Sequence, residues 1–433
     1  MKPDVIIIGA GVAGSSCAIK LAQNGIKTVL IDRGMPIGSK NLSGGVLWGN
    51  DLEEIIPNWQ EEAPIERYII NKKVGFLSES DATVLDFHFD SWNNKPYPGV
   101  ALLRAKFDEW LAQQAEKAGV VVLSGITVDE LAFENGAVVG VKQEDEILTA
   151  PIVIIAEGAN PRLLLKHGMT YRGAEDRYDY RDMAIGLKEV IKLDQKILEE
   201  RFLLEGNQGL AGEFIMGNIP DSDVLAGGFF YTNKASLSIG CVVHLDSMRT
   251  KDRVYEIIEH FKNHPYIARL LKGGESIEYG AKLIPEMDYK KFPAPSGDGF
   301  MVIGDAAGFV FSNGIMIQGM NYGIKSGLLA ADTAIEAKQN GDYTAKSLKS
   351  YDKALNNSYV MKDFKKLKNV KKMTKNPRLF KVYPKGINDG FRNYLTETGD
   401  PKDNMMKILL KNMKESGAGL FTLMRDGLRA RHL

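Results

Sequence analysis

Two glycine-rich segments, far apart in the chain, carry residues suited to holding a dinucleotide. The first contains Gly9, Gly11, Ala13 and Gly14, follows an apolar run at residues 5–8 and precedes a helix-like stretch. In such a turn Gly9 permits the tight bend, Gly11 lets backbone N–H groups approach phosphates, and Gly14 lets helix and strand pack closely. The segment therefore predicts a diphosphate at the N-terminus of the following helix.

Each segment is accompanied by an acidic residue. Asp32 ends the second strand-like run and is placed to accept a hydrogen bond from a ribose 2′-hydroxyl, which argues against a 2′-phosphate; Arg33 comes next. The second segment, Gly304 to Gly308, ends another apolar strand, and its Asp305 is placed to accept from a ribityl hydroxyl. Together the two segments predict FAD, rather than NAD, as the cofactor.

Four further places are predicted to contact the cofactor. The loop with Lys40, Asn41, Ser43 and Gly44 lets backbone lie beside the isoalloxazine, with Asn41 or Ser43 bonding its edge; a purely structural glycine turn is the alternative. Arg104 begins a helix from which a guanidinium reaches phosphate or ribityl oxygens, unless it is an ordinary solvated charge.

The other two places follow a strand and precede a helix. Glu157 and Gly158 form a turn after the apolar strand at residues 151–156, positioned to touch the cofactor. Gly314, Met316 and Gly319 precede a long helix-like segment whose positive N-terminus favours negative charge at the flavin N1/C2=O edge. Neither place calls for a catalytic acid, base or nucleophile, since FAD itself performs the redox chemistry.

Bulk composition excludes several classes of function. With 55 basic and 55 acidic residues among 433, the chain has no global basic field, so nucleic acid is not expected as a partner. We expect a cytoplasmic protein without a spanning helix. Its two cysteines are too few for an iron–sulfur cluster, and His260 and His264, an H-x-x-x-H pair before Pro265, are interpreted as surface capping residues rather than metal ligands.

Alternating helix and strand signals predict an α/β protein. Its FAD-binding part is predicted to be a Rossmann-like domain, discontinuous over residues 1–75, 100–170 and 290–345, and it resembles the glutathione-reductase type. Period-two segments predict an inserted antiparallel-sheet substrate domain at 76–99 and 171–289. From 346 to 433 we expect a basic helical region, with turns at Asn376-Pro377 and Tyr383-Pro384.

The C-terminal region carries two features suited to a partner or a membrane. Seven lysines crowd one stretch with only Asp363 opposing them, namely Lys362, Lys365, Lys366, Lys368, Lys371, Lys372 and Lys375. They are suited to an acidic protein partner or to anionic headgroups, or else form a solvated helix surface. Residues 405–414 and 420–425 alternate apolar clusters with basic residues, which fits an interfacial helix or packing against the core.

The chain resembles, over nearly its whole length, the geranylgeranyl reductase and electron-transfer-flavoprotein:quinone oxidoreductase group, and in particular its FixC-like branch. The stretches that carry the resemblance are KNLSGG at 40–45, LRAKFDEWL at 103–111, EGNQG at 205–209, GGFFYTN at 227–233 and residues 304–321. The resemblance implies FAD and a complex with the alpha and beta subunits of an electron-transfer flavoprotein and a small ferredoxin-like iron–sulfur subunit.

For this branch, the resemblance also implies electron delivery to a membrane quinone, either menaquinone or ubiquinone, with peripheral contact at the inner face of the membrane. In bifurcating members this chain resembles the high-potential arm. Fused members of the group carry cysteine ligands that are missing here, so a cluster is expected on a separate polypeptide. Two alternatives stay open: a prenyl-lipid reductase of the geranylgeranyl type or a related flavin oxidoreductase, and a flavin-bearing docking subunit without turnover of its own.

Overall fold

The computed structural model describes residues 2–41, 44–169, 180–219, 223–249 and 252–430. Its strands, in chain order, are β1 (Val5–Ile8), β2 (Thr28–Asp32), β3 (Gly45–Trp48), β4 (Ile65–Leu77), β5 (Ala82–His88), β6 (Gly99–Leu102), β7 (Val121–Ser124), β8 (Glu130–Glu134), β9 (Ala137–Gln143), β10 (Glu146–Thr149), β11 (Ile152–Ile155), β12 (Met183–Lys192), β13 (Gln208–Met216), β14 (Ala226–Thr232), β15 (Ser236–His244), β16 (Glu275–Pro285), β17 (Ser296–Gly297), β18 (Phe300–Val302), β19 (Phe311–Ser312) and β20 (Ile317–Gln318).

The α-helices cover the sheets and make up most of the C-terminal region. They are α1 (Val12–Gln23), α2 (Trp59–Glu62), α3 (Arg104–Lys117), α4 (Arg162–Lys166), α5 (Gln195–Phe202), α6 (Val254–Asn263), α7 (Pro265–Leu271), α8 (Met320–Asn340), α9 (Ala345–Asn357), α10 (Tyr359–Lys366), α11 (Val370–Thr374), α12 (Pro377–Lys381), α13 (Tyr383–Leu395), α14 (Met405–Glu415) and α15 (Leu420–Ala430).

The first sheet has the order β17-β18-β11-β1-β2-β7 and is parallel except for the pair β17–β18. Every residue of β1 and β11 is buried, as an uninterrupted apolar strand requires when both sheet faces are covered. Helices α1 and α8 pack together on this sheet; a Cβ on Gly327 would lie 2.4 Å from the Ala13 carbonyl oxygen, so glycine sets their close approach. The predicted α/β class is confirmed.

The second sheet has the order β16-β12-β15-β14-β13-β4-β6-β3, with β5 paired to β4. Its pairs are antiparallel apart from β13–β4. Strands β3 and β6 and most of β4 fall in ranges that the sequence assigned to the FAD-binding part, yet they pair with this sheet. Strand pairing between distant segments is set by tertiary contacts, which the local pattern does not reveal.

The C-terminal part, from Ala345 to Ala430, is helical as expected, although the two predicted turns are helix starts. Asn376 caps α12 by accepting from the Arg378 N–H at 3.2 Å, and Pro377 occupies the first turn; Pro384 does the same in α13. Proline fits there because the first N–H groups of a helix have no intrahelical partner.

A second difference concerns the histidine pair. Pro265 does not simply end a helix, since α7 begins with it. His264 is 2% exposed and its Nδ1 accepts from the Tyr266 N–H at 3.2 Å. The capping role is therefore right for His264, but its predicted surface position is wrong, because its ring lies buried close to the backbone of Ser78 and Asp81.

Two apolar cores support the two sheets, and both cysteines are buried in them. Cys17 lies in the core around the first sheet, and Cys241 in the core of the second. Among the described helices, none combines the length and apolar character that a membrane span needs.

Candidate functional site

A cavity of about 1310 Å³ lies between the two sheets. Seventeen of the eighteen predicted cofactor residues line it, and Ser43 lies outside the described residues. The seventeen are Gly9, Gly11, Ala13, Gly14, Asp32, Arg33, Lys40, Asn41, Gly44, Arg104, Glu157, Gly158, Gly304, Asp305, Gly314, Met316 and Gly319. The fold thus brings seven separate stretches of the chain around one space.

The first glycine-rich turn has the geometry that a diphosphate needs. Gly9 has a φ of +105°, and a Cβ there would lie 2.2 Å from the Ala156 carbonyl oxygen. A Cβ on Gly14 would lie 1.9 Å from the Gly9 oxygen, so the strand and helix meet without room for a side chain. Helix α1 starts after Gly11 with no side-chain cap and no acid in its first turn. Its first N–H groups therefore remain available to an anion at the cavity wall.

Asp32 holds this turn in place. Its carboxylate accepts from the Ala10 N–H at 2.8 Å and from the Gly34 N–H at 2.6 Å. An ionised carboxylate has about four lone-pair directions, so two remain for a ribose hydroxyl. The structure thus adds a structural role to the predicted binding role.

The second glycine-rich turn meets the first directly. Gly304 has a φ of +64°, and a Cβ there would lie 3.1 Å from that of Ala13. The Gly304 N–H donates to Ser326 Oγ at 3.0 Å, and Asp305 Oδ2 lies 3.8 Å from Lys282 Nζ. Helix α8 begins beside them at Met320, again without a side-chain cap or an acid in its first turn. Two uncapped helix N-termini therefore face one cavity, a donor set that fits the diphosphate and the electron-rich ring of FAD.

Arg104 is fixed by a buried carboxylate. Its Nε and one terminal nitrogen donate to Asp108 at 3.0 and 2.8 Å, and Asp108 is fully buried. Burial opposes the charge of Arg104, but Asp108 outweighs it and raises the pKa of the guanidinium. Asn41 also donates one amide N–H to Asp108, which leaves its other N–H and its oxygen for the predicted bond to the ring. This clamp presents Arg104 to the cavity in one orientation.

Glu157 lines the cavity and also accepts a hydrogen bond from the backbone. Both carboxylate oxygens lie 3.1 Å from the Leu163 N–H, at the start of α4. Burial raises the pKa of Glu157 to about 7, although this N–H favours the ionised form. The neighbouring Gly158 adopts a φ of +78°, which explains the glycine at this turn.

The sequence analysis missed Lys188, on the cavity side of β12. Its Nζ donates to the Gly44 carbonyl at 2.8 Å and lies 5.5 Å from the centre of the Phe229 ring. Burial, reinforced by the cations of Arg104 and Lys282, lowers the pKa of Lys188 to about 7. A lysine that follows the apolar residues 183–187 of this strand is the signal that would have revealed it.

The second sheet supplies an aromatic wall with a few polar groups. The aromatic residues that line the cavity are Trp48, Phe214, Phe229, Tyr231 and Phe380. His244 Nδ1 and Glu286 Oε2 are 2.7 Å apart on this side, and Glu213 lies on β13. An aromatic wall that also carries several polar groups suits a planar substrate with polar atoms at its edge. None of these polar residues was predicted, because a single acid or histidine in a strand has no recognisable spacing.

Two dinucleotide turns, two uncapped helix N-termini and an adjoining substrate space define a flavin-dependent oxidoreductase with FAD as its cofactor. A pyridine nucleotide-disulphide oxidoreductase family model matches residues 3–198. An ETF-QO ubiquinone-binding model matches residues 183–284, and a model of the ETF-QO/FixC family C-terminal domain matches residues 370–432.

Relatives share the full length of the chain. A probable electron transfer flavoprotein-quinone oxidoreductase, YdiS, from Escherichia coli is 38% identical over 99% of this chain and 98% of its own. Protein FixC from Salmonella typhimurium is 38% identical over 98% of this chain and 97% of its own. The chain belongs to this ETF-quinone oxidoreductase/FixC family, and the resemblance noted in the sequence is confirmed.

Solved structures support the fold. A geranylgeranyl bacteriochlorophyll reductase-like protein from Thermoplasma acidophilum is 21% identical, with a TM-score of 0.70 over 98% of this chain and 99% of its own. The flavin-dependent brominase Bmp2 is 16% identical, with a TM-score of 0.65 over 100% of this chain and 99% of its own. At this identity the likeness concerns the fold and not the substrate.

Proposed function

We propose that this chain takes electrons from an electron-transfer flavoprotein, made of an alpha and a beta subunit, and passes them through FAD to menaquinone or ubiquinone in the membrane. The carrying observation is that one cavity joins the dinucleotide-binding turns of the first sheet to the aromatic wall of the second. A small ferredoxin-like iron–sulfur subunit completes the assembly, and this chain forms the high-potential arm of a bifurcating complex. The printed names of its relatives, which include an electron transfer flavoprotein-quinone oxidoreductase, support the first part.

The proposed division of labour gives one function to each of three parts of the chain. Residues 1–75, 100–170 and 290–345 hold FAD, residues 76–99 and 171–289 meet the quinone, and residues 346–433 contact partners or the membrane. Strands β3, β4 and β6 belong to the second sheet and also supply cavity residues such as Trp48 and Val74. They therefore link the flavin to the quinone space.

An exposed apolar surface supports peripheral contact with the inner face of the membrane. Helix α13 packs against β5 and α14, and α15 is tied to α12 by the bidentate pair of Arg378 with Asp426, both bonds 2.7 Å long. These elements expose large apolar side chains, namely Leu85, Phe87, Phe89, Leu395, Met405, Met406, Leu410, Leu420, Phe421, Met424 and Leu428. Apolar side chains held on a rigid surface, with lysines nearby, suit the interface of an anionic bilayer.

The lysine cluster is smaller than the sequence suggested. Lys371 pairs with Asp182 and Lys375 with Asp246, so Asp363 is not the only opposing acid. The remaining lysines of the cluster are exposed: Lys362, Lys365, Lys366, Lys368 and Lys372. We propose these five as the docking field for an acidic iron–sulfur partner or for anionic headgroups.

The test is reconstitution with a defined electron donor. The FAD-loaded chain is mixed anaerobically with reduced electron-transfer flavoprotein and a short-chain ubiquinone, and formation of quinol is followed. Quinol formation that requires both the donor and bound FAD is the expected result. Reduction of a prenyl C=C bond with a chemical reductant, together with failure to reduce the quinone, would overturn the proposal. Native co-purification of the donor subunits and a small cluster protein tests the assembly separately.

A further inference from the structure

A buried acid–lysine pair stands at the wall of the substrate space. Glu213 on β13 lines the cavity, and its Oε1 accepts from Lys72 Nζ at 2.7 Å. Lys72 lies behind it on β4, with its ammonium 5.1 Å from the centre of the Trp48 ring. Their side chains are 13% and 9% exposed, so the pair is almost removed from solvent.

One oxygen of Glu213 has no partner. Its Oε2 is buried and without a hydrogen bond. When water is excluded, an ionised carboxylate is stable only if hydrogen-bond donors reach both of its oxygens. A protonated carboxyl removes this penalty, because a neutral oxygen costs far less to leave unpaired. The geometry therefore favours a carboxyl group that keeps its proton.

Burial of the pair acts in the same direction. Burial raises the pKa of Glu213 and lowers that of Lys72, while each partner opposes the shift of the other. The phenol of Tyr231 on β14 also faces Glu213, and burial raises its pKa, with the carboxyl group adding to the effect. Lys72 and Tyr231 are thus the titratable groups that act on Glu213. Burial thus favours the protonated carboxyl of Glu213 and makes the Lys72 ammonium a stronger acid, which suits Lys72 to pass on its proton.

We propose, on the basis of the function proposed above, that Glu213 is the proton donor to the quinone and that Lys72 restores its proton. Reduction of a quinone to a quinol takes up two electrons and two protons, one at each carbonyl oxygen. The electrons come from reduced FAD. The Glu213 O–H bond breaks as an O–H bond forms on one quinone oxygen, and Lys72 then transfers its proton to the carboxylate. Two protons from bulk solvent complete the balance: one goes to the second quinone oxygen, and the other restores the Lys72 ammonium.

The position of Glu213 suits this role. Its neighbours across the sheet are Phe229 on β14 and Val74 on β4, and all three side chains line the cavity. Phe229 stacks with Tyr231 at 5.2 Å between ring centres, so the acid adjoins a flat aromatic surface. An aromatic surface with one acid at its edge positions a planar ring with an oxygen near the donor.

Glu189 provides a matched control. It is a buried glutamate of the same sheet and pairs with Lys262 at 3.0 Å, but it does not line the cavity. Variants Glu213→Gln, Glu213→Asp and Glu189→Gln are therefore compared in the FAD-loaded full-length protein. Bound FAD content and melting temperature verify that each variant is folded.

Reoxidation of the reduced protein is measured by stopped flow from pH 6 to 9 with two acceptors. One is decylubiquinone, and the other is ferricenium, which takes up an electron but no proton. We expect Glu213→Gln to reduce decylubiquinone on the order of 100-fold more slowly, since a positioned general acid contributes about 10²–10⁴-fold. Its rate with ferricenium stays that of the wild type. Glu213→Asp restores part of the quinone rate, and Glu189→Gln changes neither rate.

The pH dependence and an infrared measurement give independent readouts. The wild-type quinone rate falls as pH rises through the pKa of the Glu213 carboxyl, because the acid form is the donor, and this fall is absent in Glu213→Gln. The resting wild-type protein shows the C=O stretch of a protonated carboxyl that Glu213→Gln lacks. A wild-type rate and pH profile in Glu213→Gln, or no such infrared band, would overturn the proposal. Failure of the wild type with decylubiquinone but not ferricenium would instead count against quinone reduction itself.

Discussion

Replacement of Lys188 by methionine tests whether the buried charge of this lysine beside the flavin space destabilises the folded protein. Methionine keeps much of the apolar stem of this β12 side chain. It removes the ammonium that donates to the Gly44 carbonyl and lies over Phe229. The pKa of Lys188 in the folded protein is about 7, against 10.5 for an unhindered lysine. Folding therefore either buries a cation or releases its proton.

The size of the effect follows from this difference. A lysine pKa of about 7 in the folded protein, against 10.5 in the unfolded chain, lowers the free energy of unfolding of the FAD-free protein by about 5 kcal/mol at pH below 7. Between pH 7 and 10.5 the unfolded chain binds more protons than the folded one, so wild-type stability rises with pH relative to Lys188→Met. The variant loses about 1 kcal/mol from the missing hydrogen bond. We therefore expect the free energy of unfolding of Lys188→Met to exceed that of the wild type by about 4 kcal/mol at pH 6 and about 1 kcal/mol at pH 9.

The assay is urea unfolding of the FAD-free protein at pH 6, 7.5 and 9, followed by fluorescence. Lys192→Met, on the same strand but with an exposed side chain, controls for the loss of a lysine. A difference in free energy of unfolding between wild type and Lys188→Met that is the same at all three pH values would refute this explanation. A variant that is less stable at pH 6 would show that the cation is better compensated than its contacts indicate.

Three other perturbations address the cofactor turn, the arginine clamp and the membrane surface. Gly14→Ala places a methyl group 1.9 Å from the Gly9 carbonyl oxygen, so we expect purified protein with little bound FAD, measured by the flavin-to-protein absorbance ratio. Asp108→Asn removes the carboxylate that orients Arg104, and we expect FAD to bind about 10-fold or more weakly in fluorescence titrations, equal to at least about 1.4 kcal/mol. Phe421→Ser removes a side chain that is 88% exposed on α15, and we expect weaker sedimentation with anionic vesicles at an unchanged melting temperature.

Controls for these variants lie elsewhere in the chain. A Cβ on Gly419 would meet no atom within 4 Å, so Gly419→Ala retains its FAD. Leu203 is 84% exposed at the end of α5, and Leu203→Ser leaves vesicle binding unchanged. Full FAD content in Gly14→Ala, wild-type affinity in Asp108→Asn, or undiminished vesicle binding in Phe421→Ser would contradict the corresponding argument.

Local patterns predicted the part of the fold that depends on local geometry. The apolar runs at β1 and β11 predicted buried parallel strands, and the alternating segments predicted β12, β14 and β15. Strands β3, β4 and β6 join the second sheet although they lie largely in the ranges predicted to hold FAD; a strand's own residues do not specify which sheet it joins. The prolines at 377 and 384 were misinterpreted for a related reason, since proline is compatible with both a turn and the first turn of a helix.

The sequence by itself determined the two glycine turns, the helices that follow them and the identity of the cofactor. These depend on positive φ, close backbone approach and free N–H groups, which neighbouring residues specify. Only the tertiary structure decided which charges meet: Glu213 pairs with Lys72 at a separation of 141 residues, and Lys371 with Asp182 at 189. Strand periodicity tells which face a side chain occupies, but the groups that surround it, and hence its pKa, depend on which strands and helices pack beside it.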